Sequence, residues 1–484
     1  QIFERFHSIH VDPAWIPWRK MKRCVAIFLV ILSALLLGLS TQSGALNGAE
    51  RERAELVQPN SPDPGKPDAG DGETGATHGA DASRGPGEVA AMRQFLREVC
   101  EVNHLPLAQN QSYRNLPLEL RERLFWALFR AEQSLSLPKL QKARRDGPSP
   151  NCKHPNLLNL LTGKKRQRPL TLIDMPTGMG GGPELDFLEL RMMELQGVAD
   201  IMVVAESSYT FRGDRKPRHY QLNAERFQAF HDQVLYMDLE QCDKYWLGIN
   251  DVREKHGQRR AFWAIEVRQR ACLWTMLERD RPNLTDDAIV IFTDLDEIPN
   301  GELMMAMKHC EWKAWNPKMQ FRQRVVTFNL RQVLSNRPGC FPKDAWRQGA
   351  LFRLGWARDE FKNNQSIPLR LKGSVPTIDG GAMHLSHFGN AFALMTKGLQ
   401  HGEGGGLLLP GWINACSTTD EEILELLSIF RNDPISIVRS WEHRSNPLPK
   451  ATPTLKDLQN CAVPWALQAN PRRYAAFWGL PPID

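Results

Sequence analysis

The chain has 484 residues, enough for a large core and one or two domains. Hydrophobic residues make up 42% and charged residues 24%, the balance of a globular protein and not of a disordered or fibrous one. Its 61 basic and 55 acidic side chains give a net charge of +6, too mild and too scattered for a nucleic-acid surface, so no nucleic-acid partner is expected.

Residues 1–23 carry Arg19, Lys20, Lys22 and Arg23, and the uncharged apolar stretch 24–41 follows. Basic flanks stay on the cytoplasmic side, so this pattern predicts a type II signal anchor with the rest of the chain lumenal. Residues 42–89 are rich in Gly, Pro, Asp and Ser and poor in large apolar residues, which predicts a disordered stem. Residues 90–168 read as a helical region, with Leu120, Leu124, Ala127 and Leu128 on one face of a helix over 116–134, and then a basic connector. Nine widely spaced cysteines contain no Cys-x-x-Cys pair, which excludes zinc ribbons and thioredoxin chemistry and suits an oxidising lumen.

From Pro169 strands and helices alternate. Leu170–Ile173, Ile201–Ala205, Val234–Met237 and the run starting at Ile289 are predicted strands. Glu184–Leu195, Glu225–His231 and Gln258–Arg279 are predicted helices between them. That order predicts an α/β domain with a central, mostly parallel sheet over 169–440, followed by an extension over 441–484. Beyond Asn300 the pattern loosens, with strands at 319–330 and 350–354 and a helix at 423–430.

Four predicted strands end in an acid: Asp174, Glu206, Asp238 and Asp294. In a parallel sheet these ends share the edge where ligands bind. Asp294-Leu-Asp-Glu-Ile-Pro299 is the densest cluster. Alternate carboxylates there can face one hard divalent cation, Mn²⁺ or Mg²⁺.

Three blocks resemble glycosyltransferase family 17, the family of the β-1,4-mannosyl-glycoprotein 4-β-N-acetylglucosaminyltransferases. They are Glu184–Glu194 leading into Ala199–Phe211, Asp294–Pro299, and Gly381–Phe388. The resemblance implies a GT-A-like nucleotide-sugar-binding domain and an inverting transfer of N-acetylglucosamine from UDP-GlcNAc to a mannose of a glycoprotein N-glycan. It also implies a Golgi membrane location. The alternatives are another donor or acceptor on the same fold, or an inactive glycan-binding relative.

Asp294 and Asp296 are the expected metal and diphosphate residues, and His384, ahead of His387, is the further metal ligand. Glu297 completes the acid cluster, either behind the ligands or, preferably, as the cap of a helix starting near Gly301. Glu206, Ser207 and Tyr209 are expected to line the donor pocket with Asp294. Arg191 is expected to pair with Glu184 or Glu194 along its helix, in preference to contacting phosphate. The general base stays open among Asp344, Asp359, Glu360 and Asp379. The glycine runs 178–182 and 401–406 read as loops.

Overall fold

The computed structural model describes residues 86–103, 116–134, 147–177, 184–211, 213–242, 249–313, 317–327, 330, 347, 349–364, 375–400, 413–432 and 463–478. The expected anchor, nearly all of the stem, Asp344 and both glycine runs lie outside these residues. Among the described residues no helix is long and apolar enough to cross a membrane.

In chain order the elements begin with α1 (Pro86–Asn103) and α2 (Leu118–Ser134). They continue with β1 (Leu161–Lys165), β2 (Leu172–Asp174), α3 (Leu185–Glu194), β3 (Ile201–Glu206), the short α4 (His219–Leu222) and β4 (Val234–Asp238). Then come α5 (Ile249–Asp280), β5 (Ile289–Phe292), β6 (Glu297–Pro299), α6 (Gly301–His309), β7 (Cys310–Trp312) and β8 (Lys318–Thr327). The last are β9 (Ala350–Arg353), α7 (Leu354–Asn364), β10 (Thr377–Ser386), α8 (Ala391–Gln400), α9 (Asp420–Asn432) and α10 (Trp465–Ala469). Three differences from the sequence reading stand out. Helix α1 starts at Pro86, inside the expected stem, where a proline suits the first turn of a helix. The basic connector contains β1, which pairs with β7, and the Cys152–Cys310 disulfide fastens the connector ahead of β1 to the start of β7. Residues 224–233 form 3₁₀ turns in place of an α-helix.

The main sheet has eight strands in the order β4-β3-β2-β5-β9-β8-β10-β6. Strands β4, β3, β2 and β5 are mutually parallel, β9 runs against its neighbours β5 and β8, and β10 runs parallel to β8. The expected α/β class with a mostly parallel sheet is therefore present. Alternate side chains go to opposite faces, and both faces are buried. Ile289 and Ile291 of β5 join Leu172, Met202, Leu188, Met192 and Met304 in one cluster. Val290 and Phe292 join Ile173, Val203, Leu273, Trp274 and Ala357 in the other. Helices α3 and α6 thus cover one face and α5 and α7 the other.

A third cluster lies apart from the sheet and joins α1, α2, α8 and α9 through Met92, Phe95, Leu96, Leu124, Leu128, Phe392, Met395 and Leu426. The Cys100–Cys416 disulfide closes it, and Cys242–Cys272 ties the end of β4 to α5. The chain enters α8 through a tight turn in which His387 has φ 57° and Gly389 φ 130°, conformations that a residue with a Cβ adopts rarely. The residues 463–478 of the C-terminal extension pack on α3. There Arg473 and the Tyr474 hydroxyl donate to the Glu189 carboxylate, and Phe477 lies against Phe187.

Where α2 meets the start of α8, burial pushes the Glu132 carboxyl up from its ordinary 4.5 to about 8. Asp186 and Glu88 add to the rise, while a hydrogen bond with Asn390 and the charge of Arg226 oppose it. Between those two pH values the folded protein keeps a proton that the unfolded chain has lost, so stability falls as pH rises toward 8. We expect Glu132→Gln to remove about 2 kcal/mol of that fall. Thermal melts at pH 5 and pH 8 would show it; equal pH slopes in the two proteins would refute it.

Candidate active site

The chain leaves β2 for β3 and β4 on one side and returns at β5 on the other side. The carboxyl ends of β2 and β5 therefore flank a topological switch point, the place where open α/β sheets bind ligands. Beyond β2 and β5 the two segments stay in register. The Thr177 amide donates to the Thr293 carbonyl at 2.7 Å, and Thr177 bridges Asp294.

Arg191 fixes this junction from below. It is fully buried in α3 and donates to both Asp174 oxygens, at 2.7 and 2.6 Å. Its remaining nitrogen donates to the Glu297 carbonyl at 2.8 Å and the Asp294 carbonyl at 3.2 Å. The expected pairing with Glu184 or Glu194 is corrected: α3 is buried nearly all round, so its arginine turns into the sheet and not along the helix surface. Glu194 instead accepts from the amides of Gly301 and Ala466.

The two acids of the cluster have different surroundings. Asp294 accepts from the Thr177 hydroxyl at 2.6 Å and from Arg270 at 3.4 Å. Asp296 accepts from the Lys397 ammonium at 2.8 Å, and its other oxygen stands 3.6 Å from His384 Nε2. Burial alone would raise the Asp296 carboxyl, but Lys397 and then His384 hold it well below the usual range. Burial disfavours charge on His384 and Lys397 as well, yet Asp296 reverses the effect and raises both. Glu184, at the start of α3, lies 3.9 Å from Lys397. Burial pushes its carboxyl up to about 7, Lys397 opposing and the charges of Asp296 and Asp294 reinforcing the rise.

Glu297 is buried under the loop, accepting from Gln323 at 2.7 Å and from the Asp294 amide at 3.2 Å. It does not cap the following helix; the Asn300 side chain does, accepting from the amides of Glu302 and Leu303. Glu206 is buried and accepts from the amides of Tyr220 and Gln221, so its carboxylate serves the start of α4. The Ser207 hydroxyl accepts from the Tyr209 amide, and half-buried Tyr209 pairs with Arg215, whose guanidinium lies 5.4 Å from its ring. His387 sits in the turn after β10, its Nδ1 2.9 Å from the Ser386 hydroxyl. Of the candidate bases, Asp379 is paired with Arg322. Asp359, on α7 with Glu360, borders a cavity with Asp286 and Asp287, ahead of β5 and so at the opposite end of the sheet.

Lys397, Lys216, Arg270 and Thr177 were missed by the sequence reading. Lys397 had one available signal: it is the single charge in the otherwise apolar helix Ala391–Gln400, where a buried cation must have a partner. A cavity of 640 Å³ lined by Gly147, Thr171, Asp200 and Lys308 lies before β2, at the edge away from these acids.

Asp296 and His384 could serve as an oxygen and an imidazole ligand to one divalent cation. Among the described residues no cluster of three or more His, Cys, Asp or Glu side chains forms a complete set, and the Asp294 carboxylate is turned to Thr177 and Arg270. An ion held by Asp296 and His384 would therefore need its further ligands from outside the described residues.

Residues 151–337 match the model of glycosyltransferase family 17. The chain is 26% identical over 149 residues to a β-1,4-mannosyl-glycoprotein 4-β-N-acetylglucosaminyltransferase of Homo sapiens and, equally, to one of Rattus norvegicus. Each match spans 30% of this chain and 25% of the relative, about a quarter of its length. The acid pair at the sheet's switch point thus lies inside the segment, residues 151–337, that matches glycosyltransferase family 17.

Proposed function

We propose that the protein is an inverting glycosyltransferase with a GT-A-type domain. In this reading it moves N-acetylglucosamine from UDP-GlcNAc to a mannose of a glycoprotein N-glycan, forming a β1,4 linkage. The observation that carries the reading is the acid pair at the switch point, with Asp296 held between Lys397 and His384. The three disulfides among the described residues support an oxidising lumen, in keeping with a Golgi enzyme anchored by residues 24–41.

In the transfer the acceptor hydroxyl attacks the anomeric carbon, the bond from that carbon to the diphosphate breaks, and the hydroxyl proton passes to a base. The developing charge lies on the departing diphosphate. Asp296 and His384 would hold a divalent cation, Mn²⁺ or Mg²⁺, which when bound neutralises that charge. The protein's own part is preorganisation. Arg191 and Glu297 fix the loop, Thr177 and Arg270 orient Asp294, and Lys397 keeps Asp296 ionised. Groups set in place before the reaction need no reorganisation as charge develops.

The direct test is UDP release from UDP-GlcNAc, with and without a panel of N-glycans. Acceptor-dependent release is expected, and Asp296→Asn is expected to lower it about a hundredfold. Saturable glycan binding with no turnover of any nucleotide sugar would refute the transferase reading.

A further inference from the structure

Asn283-Leu-Thr285 is an acceptor pattern for asparagine-linked glycans: an asparagine followed two residues on by a hydroxyl, with no proline between them. The pattern arises often by chance, so its surroundings decide what it can do. Two further copies begin at Asn110 and Asn364, but Asn110 and the residues after Asn364 lie outside the described residues.

Asn283 stands in a tight turn just beyond α5. The helix ends at Asp280, Pro282 cannot continue it, and the Leu284 amide donates to the Arg281 carbonyl at 3.3 Å to close the turn. Pro282 and Asn283 occupy the two corners, which suit a fixed φ and a short polar side chain. Within the pattern the side chains part. Leu284 is half-buried and packs against the cluster between α5 and the sheet, whereas Asn283 and Thr285 are exposed. Among the described residues the Asn283 side chain has no partner.

The turn is held from behind. The Thr285 hydroxyl donates to the Asp287 carboxylate, and the Ala288 amide donates to the Thr285 carbonyl at 3.0 Å. The Gly355 amide donates to the Asp286 carbonyl at 3.0 Å, and Arg358 joins Asp286 to Glu278 of α5. The outward position of Asn283 is therefore set by the fold. It also lies ahead of β5, while Asp294 and Asp296 follow that strand. Four residues at about 3.3 Å each put roughly 13 Å of strand between the two ends. A bulky group on Asn283 would stand at the amino end of β5 and leave the edge with the acids open.

We propose that Asn283 carries an N-linked glycan. Its side-chain nitrogen takes a preassembled oligosaccharide from a lipid diphosphate. The bond from the anomeric carbon to the diphosphate oxygen breaks, a carbon–nitrogen bond forms, the lipid diphosphate leaves with the electron pair, and the nitrogen loses one proton. Attachment needs a lumenal chain, which the three disulfides among the described residues support, but not the transferase activity.

The test is glycopeptide mass spectrometry of the full chain made in a eukaryotic secretory host, before and after peptide N-glycosidase, beside the gel mobility of three variants. The wild type is expected to yield the Asn283 peptide with a glycan, converted to aspartate at that position by the enzyme. Asn283→Gln and Thr285→Ala should each lose the mass of one glycan. Thr285→Ser keeps the hydroxyl of the pattern and should retain it. Asn283→Gln removes no contact of the fold, so its loss of mass reports the glycan alone. An Asn283 peptide found only unmodified overturns the assignment, whether or not Asn110 and Asn364 carry glycans. An Asn283→Gln chain with wild-type mobility does the same. A glycosylated Asn283 on a chain that turns over no nucleotide sugar would keep the glycan and sink the transferase reading.

Discussion

Replacing Arg191 by methionine is expected to lower the melting temperature by about 10 °C and to abolish transfer. The side chain is fully buried and makes four hydrogen bonds, two to the Asp174 carboxylate and two to carbonyls of the acid loop. Methionine fills the volume but leaves Asp174, itself 3% exposed, as an unpaired buried charge. Breaking a buried pair on one side costs about 3–5 kcal/mol, most of it from the stranded partner. The double variant Asp174→Leu with Arg191→Met should therefore recover much of the lost stability, because neither charge then remains. It should not recover transfer, because the carbonyls of Asp294 and Glu297 still lack the donor that sets the loop. Melts of the three variants beside an activity assay separate the two effects. A single variant melting within about 2 °C of the wild type would refute the clamp.

The same residue shows where the sequence could be read and where it could not. The strands at 172–174, 201–206, 234–238 and 289–292 were legible because each is a short, mainly apolar run, buried on both faces in all but the edge strand 234–238, and their ends lie at the ligand edge. Arg191 was placed by a rule for helix surfaces, i to i+3 pairing, which fails when every side of a helix is covered. Strand β10 escaped notice because Gly380 and Gly381 interrupt its pattern. Gly381 is needed there, since a Cβ would collide with the Phe321 ring of the neighbouring strand. His384 was found through the family block, whereas Lys397, which meets the other oxygen of Asp296, sits thirteen residues on, in a helix whose apolar faces read as plain core. Asp296 and Lys397 are 101 residues apart in the chain, and only the fold of β10 against β6 and the turn at His387 brings them together.

That dependence on distant segments leads to the second large effect. A chain restricted to the matched residues 151–337 is expected not to fold. In the sheet β9 lies between β5 and β8, so the fragment would contain two strands whose shared neighbour is missing, and it would also lack β10 beside β8. Less obviously, a chain beginning at Gly147, which keeps every strand, is expected to lose cooperative unfolding and transfer together. It lacks α1 and α2, whose Met92, Phe95, Leu96, Val99, Leu124 and Leu128 are at most 2% exposed. These six side chains represent about 10 kcal/mol of apolar burial, comparable with the whole stability of a domain, about 5–15 kcal/mol. Their loss bares Phe392, Met395 and Leu399 on one face of α8, and it removes the Cys100 end of the disulfide to Cys416. The opposite consequence falls on the site, because α8 carries the Lys397 that neutralises Asp296. The helical layer is then a structural part of the catalytic unit and not a spacer before it. Circular dichroism melts of chains beginning at Pro86 and at Gly147 would decide: a cooperative melt within about 3 °C and equal transfer in both would show that α1 and α2 are dispensable.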